Sequence, residues 1–276
     1  IGVVLNIGLT HVSKLGSIEA IAEEKLSLVR GLPSWGTAII NADDSRVAAG
    51  SAGLSCLVIE FGKSGRGSNA LTYANEREVG LEGTEFDVSY GEESIRARSP
   101  LPGLHTIPAA LTAIACACAL GLSLHEAVDA LSAATLAEGR MQVRRAANGA
   151  TILDDRYNSS PASLAGALEV LASRPSPRIA LLGRMAELGE HEEDEHHRIG
   201  AIAAKSCDIL IGVGEPCRLL ANAAEAGGLA DVHWFEDKED AARFAASRMT
   251  AEATILVKAS RSQAFETIIP VLEGAS

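Results

Sequence analysis

The chain has 276 residues, 47% of them apolar and 22% charged, with a formal net charge of −12. That length and apolar content exclude a disordered chain and leave room for two domains, each with a core of its own. The acidic balance excludes general affinity for nucleic acid or an anionic membrane surface, so any anionic ligand has to be met by a few local Arg and Lys residues.

Cys56, Cys116, Cys118, Cys207 and Cys217 form no CxxC pair, and predict neither a disulfide framework nor a zinc site. A reducing cytosol is the expected compartment. The longest apolar stretch, 109–122, falls short of the roughly 18 to 20 residues of a membrane span and reads as a buried, Ala-rich helix.

The first predicted strand, 1–7, has the apolar character of a strand inside a sheet and follows no polar leader, so residue 1 is expected to lie within a longer protein. A helix starts near Ser17, which can cap it, with Glu19 and Glu23 toward the positive end of its dipole. Strands are predicted at 36–41, 56–61, 70–73, 84–90 and 93–98, several of them joined as hairpins by Gly-rich turns. Helices follow at 108–121, closed by Gly121, and at 124–134.

From Gly139 the pattern restarts. Strands at 151–154, 178–183, 208–213, 231–235 and 253–257 alternate with helices at 161–173, 191–206, 216–227, 237–248 and 260–272. Strict β/α alternation at this pitch predicts a doubly wound, largely parallel Rossmann-like sheet with helices on both faces. Its ligand site should lie at the carboxyl ends of the strands, where the polar loops 154–161, 184–190 and 258–261 fall. The domain division is placed at 1–138 and 139–276.

Two motifs are decoys. GKSGRGS (62–68) has the Gly-Lys-Ser of a phosphate loop, but Leu57 stands where that motif needs its first glycine and no apolar helix follows, so a solvated hairpin turn is expected. HEEDEHH (191–197) is His-rich but heads a helix among many acids and reads as a solvated face. His11, at a strand end, is either a ligand or a loop-capping residue, and Lys25 by itself is a solvated helix lysine.

Taken together, NIGLTHVSKLGSIEAIAEEK, AIINADD, LPGLHTIPAALTAIACACALG, EGRMQV, ILDDRYNSSPAS, LLGRMAELGEH and LVKASRS resemble the Mur ligase family in order and approximate spacing across essentially the whole chain. These are the ATP-dependent amide-forming ligases of peptidoglycan precursor synthesis. The likeness is greatest to the branch that joins D-alanyl-D-alanine to UDP-N-acetylmuramoyl-tripeptide through an acyl phosphate. The resemblance implies an α/β fold: the C-terminal part of a central ATPase-type domain, then the doubly wound domain, with 136–142 as hinge.

It also implies ATP and Mg²⁺ as cofactors, the UDP-linked muramoyl peptide and D-alanyl-D-alanine as substrates, a cytoplasmic protein and a monomer. A chain without the family's phosphate loop and N-terminal domain is expected to be inactive alone. The siblings of that branch, a folylpolyglutamate-type ligase and a non-catalytic binding subunit are the alternatives.

Residue by residue, the resemblance implies that Lys25 is carbamylated and holds Mg²⁺ with His11, and that Arg140 reaches the ATP γ-phosphate. It places His105 and Thr106 at the adenine and Asp155 at the ribose, and turns Tyr157, Asn158, Lys258 and Arg261 toward the substrate. Bland readings stand beside these: Arg140 in a linker ion pair, Asp154 and Asn158 as turn residues, Lys258 and Arg261 as an exposed pair. The chain departs from the family pattern at Thr106, Ala109, Arg156, Arg184 and Ala259, which adds positive charge around the expected peptide pocket.

Overall fold

The structure, a computed structural model, describes residues 1–67 and 69–275. The chain divides into two compact units, Ile1–Thr135 and Leu136–Ser276. Among the described residues no helix is long and apolar enough to cross a membrane.

The first unit runs β1 (Gly2–Val4), α1 (Val12–Leu15), α2 (Ile18–Arg30), β2 (Thr37–Asn41), α3 (Ser45–Gly50), β3 (Leu57–Phe61), β4 (Leu71–Glu78), β5 (Thr84–Tyr90), β6 (Glu93–Ser99), α4 (Ile107–Ala119) and α5 (Leu124–Ser132). The strands form one sheet in chain order. β1, β2 and β3 are parallel, β4 meets β3 in parallel at Phe61 and Leu71, and β4 to β6 are antiparallel.

The uninterrupted apolar run of β2 is explained by burial on both faces. Ala38 and Ile40 pack with Ile21, Leu26 and Val29 of α2, whereas Ile39 packs on the opposite side with Leu111 and Ile114 of α4. Ser17 caps α2 as expected, its hydroxyl accepting the Ala20 amide at 3.1 Å.

The GKSGRGS segment is not a hairpin, because β3 and β4 run parallel where they meet; its Ser68 lies outside the described residues. The amides of Lys63 and Ser64 donate to the Asp43 carboxylate at 2.9 and 2.8 Å, and that of Arg66 donates to Glu60 at 2.9 Å. A phosphate loop aims such amides at a bound anion; here the protein's own carboxylates occupy them.

The second unit runs β7 (Gln142–Arg145), β8 (Thr151–Asp154), α6 (Pro161–Ala172), β9 (Arg178–Gly183), α7 (Glu192–Ser206), β10 (Ile209–Val213), α8 (Pro216–Ala226), β11 (Asp231–Phe235), α9 (Lys238–Arg248), β12 (Thr254–Lys258) and α10 (Ile269–Glu273). The sheet order is β11-β10-β9-β12-β8-β7, parallel throughout except for β7, which is antiparallel to β8. From β8 the chain winds toward β11, then returns to insert β12 between β9 and β8. With right-handed crossovers this reversal sends α6, α7 and α8 to one face and α9 and α10 to the other, and it makes the carboxyl ends of β8, β12 and β9 neighbours.

The helix expected over 260–272 is instead two 3₁₀ turns, Arg261–Gln263 and Phe265–Thr267, followed by α10. The break falls at Ala264, which adopts left-handed geometry at φ 49° and cannot continue a right-handed helix. His196, read as solvated, is fully buried: its ring takes the Met185 amide at Nε2 (3.1 Å) and meets the Glu192 carbonyl at Nδ1 (2.7 Å). Burial lowers its pKa, which suits the neutral ring that accepts one bond and donates the other.

A Cβ on Gly200 would lie 2.2 Å from the Leu220 carbonyl oxygen where α7 meets α8. Gly200→Ala should therefore cost about 1–3 kcal/mol in urea unfolding. Asp208 accepts from the Arg178 amide and guanidinium at 2.7 Å, and that pairing, chiefly the Arg178 side chain, lowers its pKa to about 2. A carboxylate depressed in the folded state stabilises above its unfolded pKa of about 3.9 and loses that contribution as pH falls toward the folded value. Asp208→Asn should unfold more readily than wild type at pH 6, with the difference vanishing between about pH 4 and pH 2.

Candidate active site

β8 and β12 are adjacent and parallel, so Asp155, just past β8, and Lys258, the last residue of β12, emerge side by side. The Lys258 ammonium, only 2% exposed, donates to Asp155 Oδ2 at 2.5 Å and to the Asn158 carbonyl at 2.8 Å. The other Asp155 oxygen accepts the Met141 amide at 3.0 Å. Burial lowers the Lys258 pKa, and the negative charge of Asp155 opposes that. The resemblance sends these two residues to separate ligands, a ribose and a substrate anion. The structure points them at each other, and the pair staples the loop after β8 to the end of β12. Asn158 contributes its carbonyl to the same staple.

Asp154, expected to cap a turn, is fully buried and accepts from Arg144 Nε at 2.8 Å and from Arg156. Burial raises its pKa, while Arg156 and then Arg144 pull it down. Arg156 spans from Asp154 to Glu138 with only 8% of its surface exposed. Arg184, the other unexpected cation, lies away from this network and forms a forked pair with Glu192.

Beside the network opens a cavity of about 550 Å³ lined by Glu138, Arg140, Arg156, Tyr157, Arg261 and Glu266, among others. The Arg140 guanidinium lies 4.0 Å from the centre of the Tyr157 ring and that of Arg261 lies 5.5 Å from it. Arg261 is also 4.0 Å from Glu266. One aromatic ring thus gathers two guanidiniums, using its negative face to offset their repulsion. Planar forks presented at a cavity suit a phosphate or carboxylate. Three of the residues singled out in the sequence, Arg140, Tyr157 and Arg261, therefore meet in one place. The sequence marks Arg156 only as a departure from the family pattern that adds positive charge near the expected peptide pocket, and marks Glu138 not at all; the structure joins the two beside the cavity.

In the first unit, Lys25 projects from α2 and donates to the Asn6 carbonyl at 2.8 Å, in a cleft of about 440 Å³ at the end of β1 that Val4, Asn6, Glu24 and Leu28 also line. Lys25 is half-buried rather than solvated. Burial lowers its pKa, opposed by Asp44, whose carboxylate accepts the Ile7 amide at 2.8 Å and caps α3 through the Arg46 and Val47 amides. His11 is exposed, in left-handed geometry at φ 72°, just before α1. Among the described residues no group of three or more His, Cys, Asp or Glu side chains is arranged to hold a metal ion. His105 and Thr106 occupy the turn Leu104–Thr106 that leads into α4. The Thr106 hydroxyl donates to the Gly103 carbonyl at 2.6 Å, which closes that turn.

A parallel-rich α/β unit followed by a doubly wound α/β unit is the fold of the middle and C-terminal domains of a Mur ligase. The chain belongs to the Mur ligase family: the family's middle domain matches residues 1–117, and its glutamate ligase domain matches residues 139–261. The UDP-N-acetylmuramoyl-tripeptide–D-alanyl-D-alanine ligase of Escherichia coli strain K12 is 32% identical over 97% of this chain and 59% of its own length. Among solved structures, MurF from Acinetobacter baumannii superposes with a TM-score of 0.85 at 27% identity, over 98% of this chain and 59% of that one. MurF ligase from Thermotoga maritima, a complex with ADP, shares the fold with a TM-score of 0.83 at 23% identity, over 99% of this chain and 61% of that one. The chain thus spans about three-fifths of the length of these relatives.

Removing the cation from the staple would leave Asp155 buried without its partner. Lys258→Met should therefore cost about 3–5 kcal/mol in chemical unfolding, and Asp155→Asn added to it should recover part of that loss.

Proposed function

We propose that the chain forms two domains, 1–138 and 139–276, of an ATP-dependent ligase that joins D-alanyl-D-alanine to UDP-N-acetylmuramoyl-tripeptide. The reading is carried by the meeting of Arg140, Tyr157 and Arg261 at one cavity. Membership of the Mur ligase family and the 32% identity to the Escherichia coli enzyme of that name supply the reaction. The peptide carboxylate attacks the γ-phosphorus of ATP, releasing ADP and leaving an acyl phosphate. The free amine of the dipeptide then attacks the acyl carbon, expels inorganic phosphate and loses a proton as the amide forms.

Charge stabilisation and positioning suffice for both steps, which is consistent with a site that offers cations rather than a nucleophilic Ser or Cys. In this reading Arg140 meets the γ-phosphate, and Arg261 and Tyr157 border the acceptor side. Asn158, with the Lys258–Asp155 staple, holds the loop that carries Tyr157. His105 and Thr106 approach the nucleotide base, Thr106 as an acceptor because its hydroxyl hydrogen is already engaged.

The donor set fits Mg²⁺ only after a chemical change at Lys25, since an ammonium repels a cation. Burial lowers the pKa of Lys25, which raises the share of neutral amine, the form that reacts with carbon dioxide. Carbamylated Lys25, with His11, would hold the ion, which supplies neutralising charge to phosphate oxygens when bound. The substrates assign the protein to the cytoplasm, and we propose that it acts as a monomer.

The test supplies this chain with the segment of a relative that it does not cover, and follows ADP release. Release that depends on D-alanyl-D-alanine is expected, as is its abolition in Lys25→Ala with restoration by a small carboxylate such as acetate. Undiminished turnover in Lys25→Ala would end the carbamate reading. ATP binding without acceptor-dependent release would favour a binding subunit.

A further inference from the structure

The turn at 138–141 is tied to the loop after β8 at four points. Glu138 pairs with Arg156, the Gly139 carbonyl accepts the Tyr157 amide at 3.0 Å, Arg140 lies 4.0 Å from the Tyr157 ring, and the Met141 amide donates to Asp155 at 3.0 Å. The last three are made by backbone groups, the Tyr157 ring and Asp155, so they report on the position of the turn without including the side chain at 156 among their partners. The first and the last reach past the loop: the other end of the Arg156 guanidinium is seated on fully buried Asp154, and the other oxygen of Asp155 on buried Lys258, so Arg156 braces the Glu138 end of the turn and the Lys258–Asp155 pair its Met141 end. Gly139 makes room for the Arg156 strut: its φ of 67° favours glycine, and a Cβ there would lie 3.2 Å from Arg156 Cγ.

We infer that Arg156 is a positioning residue for Arg140, bracing the 138–141 turn against the end of β8 so that the Arg140 guanidinium is held over Tyr157 at the cavity. It is not an anion-binding residue itself. Its two ends face Asp154 and Glu138, so its charge is matched within the protein and adds little attraction at the cavity, unlike that of Arg140. A guanidinium forked between two acids is stiffer than a lysine, whose single ammonium cannot span both. The importance of Arg140 to turnover rests on the proposed ligase reading; its placement by Arg156 does not.

The test is NMR on the 276-residue chain, reading the Arg140 side-chain signals, which the Tyr157 ring shifts upfield, and hydrogen exchange at the Met141 and Tyr157 amides. In Arg156→Ser the Arg140 signals should move toward free-arginine positions and both amides should exchange roughly tenfold faster or more, while β9 and β10 keep wild-type rates. Arg156→Lys should recover only part of this, and Glu138→Gln should shift the same signals less. Unchanged Arg140 signals and amides would overturn the inference. So would acceleration spread evenly over the sheet, which would make Arg156 a residue of general stability. In the completed ligase, Arg156→Ser should raise the KM for ATP several-fold with a smaller effect on kcat. A moved Arg140 with an unmoved KM would uphold the positioning and overturn the phosphate role of Arg140.

Discussion

The ion pair between Lys258 and Asp155 is the constraint on which the second unit's site depends. Two charges removed from water at the ends of adjacent strands are tolerated only if each is further satisfied. The Asn158 carbonyl and the Met141 amide do this, and in doing so they commit both the loop after β8 and the turn before β7 to one place. Tyr157 sits in that loop and Arg140 in that turn. Their stacking is therefore a consequence of the desolvated pair beneath them as well as of their own attraction.

The same economy of charge runs through the molecule. A chain of net charge −12 places three guanidiniums around one cavity, and it supplies two of them with acids: Asp154 and Glu138 for Arg156, and Glu266 near Arg261. In the first unit carboxylates take a different part, with Asp43 filling the amides of the GKSG segment and Asp44 organising the loop after β1 beside Lys25. The acids at these places act as counter-ions and amide acceptors within the protein, which is why the bulk charge says little about what the site binds.

Much of the second unit was legible in the sequence because its strands are apolar runs, its helices amphipathic or Ala-rich, and its alternation regular. β7 was missed: Gln142–Arg145 has half its positions occupied by arginine, and it is a strand only because β8 offers an open edge. α3 was missed for want of length, although Asp44 caps it. The long helix expected at the C-terminal end failed at Ala264, whose left-handed backbone no residue preference announces. His196 was misread because four acids in the first turn of α7 suggest a solvated face, whereas the buried stripe of that helix passes through His196, Ile199, Gly200 and Ala203.

By itself the sequence determined the α/β class, the strict β/α order of the second unit, and the residue types of the site, because period, capping and turn chemistry are local and act within a few residues. It also carried the family likeness, since motif order survives in one dimension. The tertiary structure decided which charges neutralise each other. Asp155 and Lys258 are 103 positions apart, and Arg144 and Glu273 are 129 apart. Whether such residues are ligands or each other's partners depends on strand order, and β12 lies beside β8 only because the winding reverses after β11. Pairing at that range is a property of the assembled sheet, and burial, which gives it its strength, exists only once the sheet has closed.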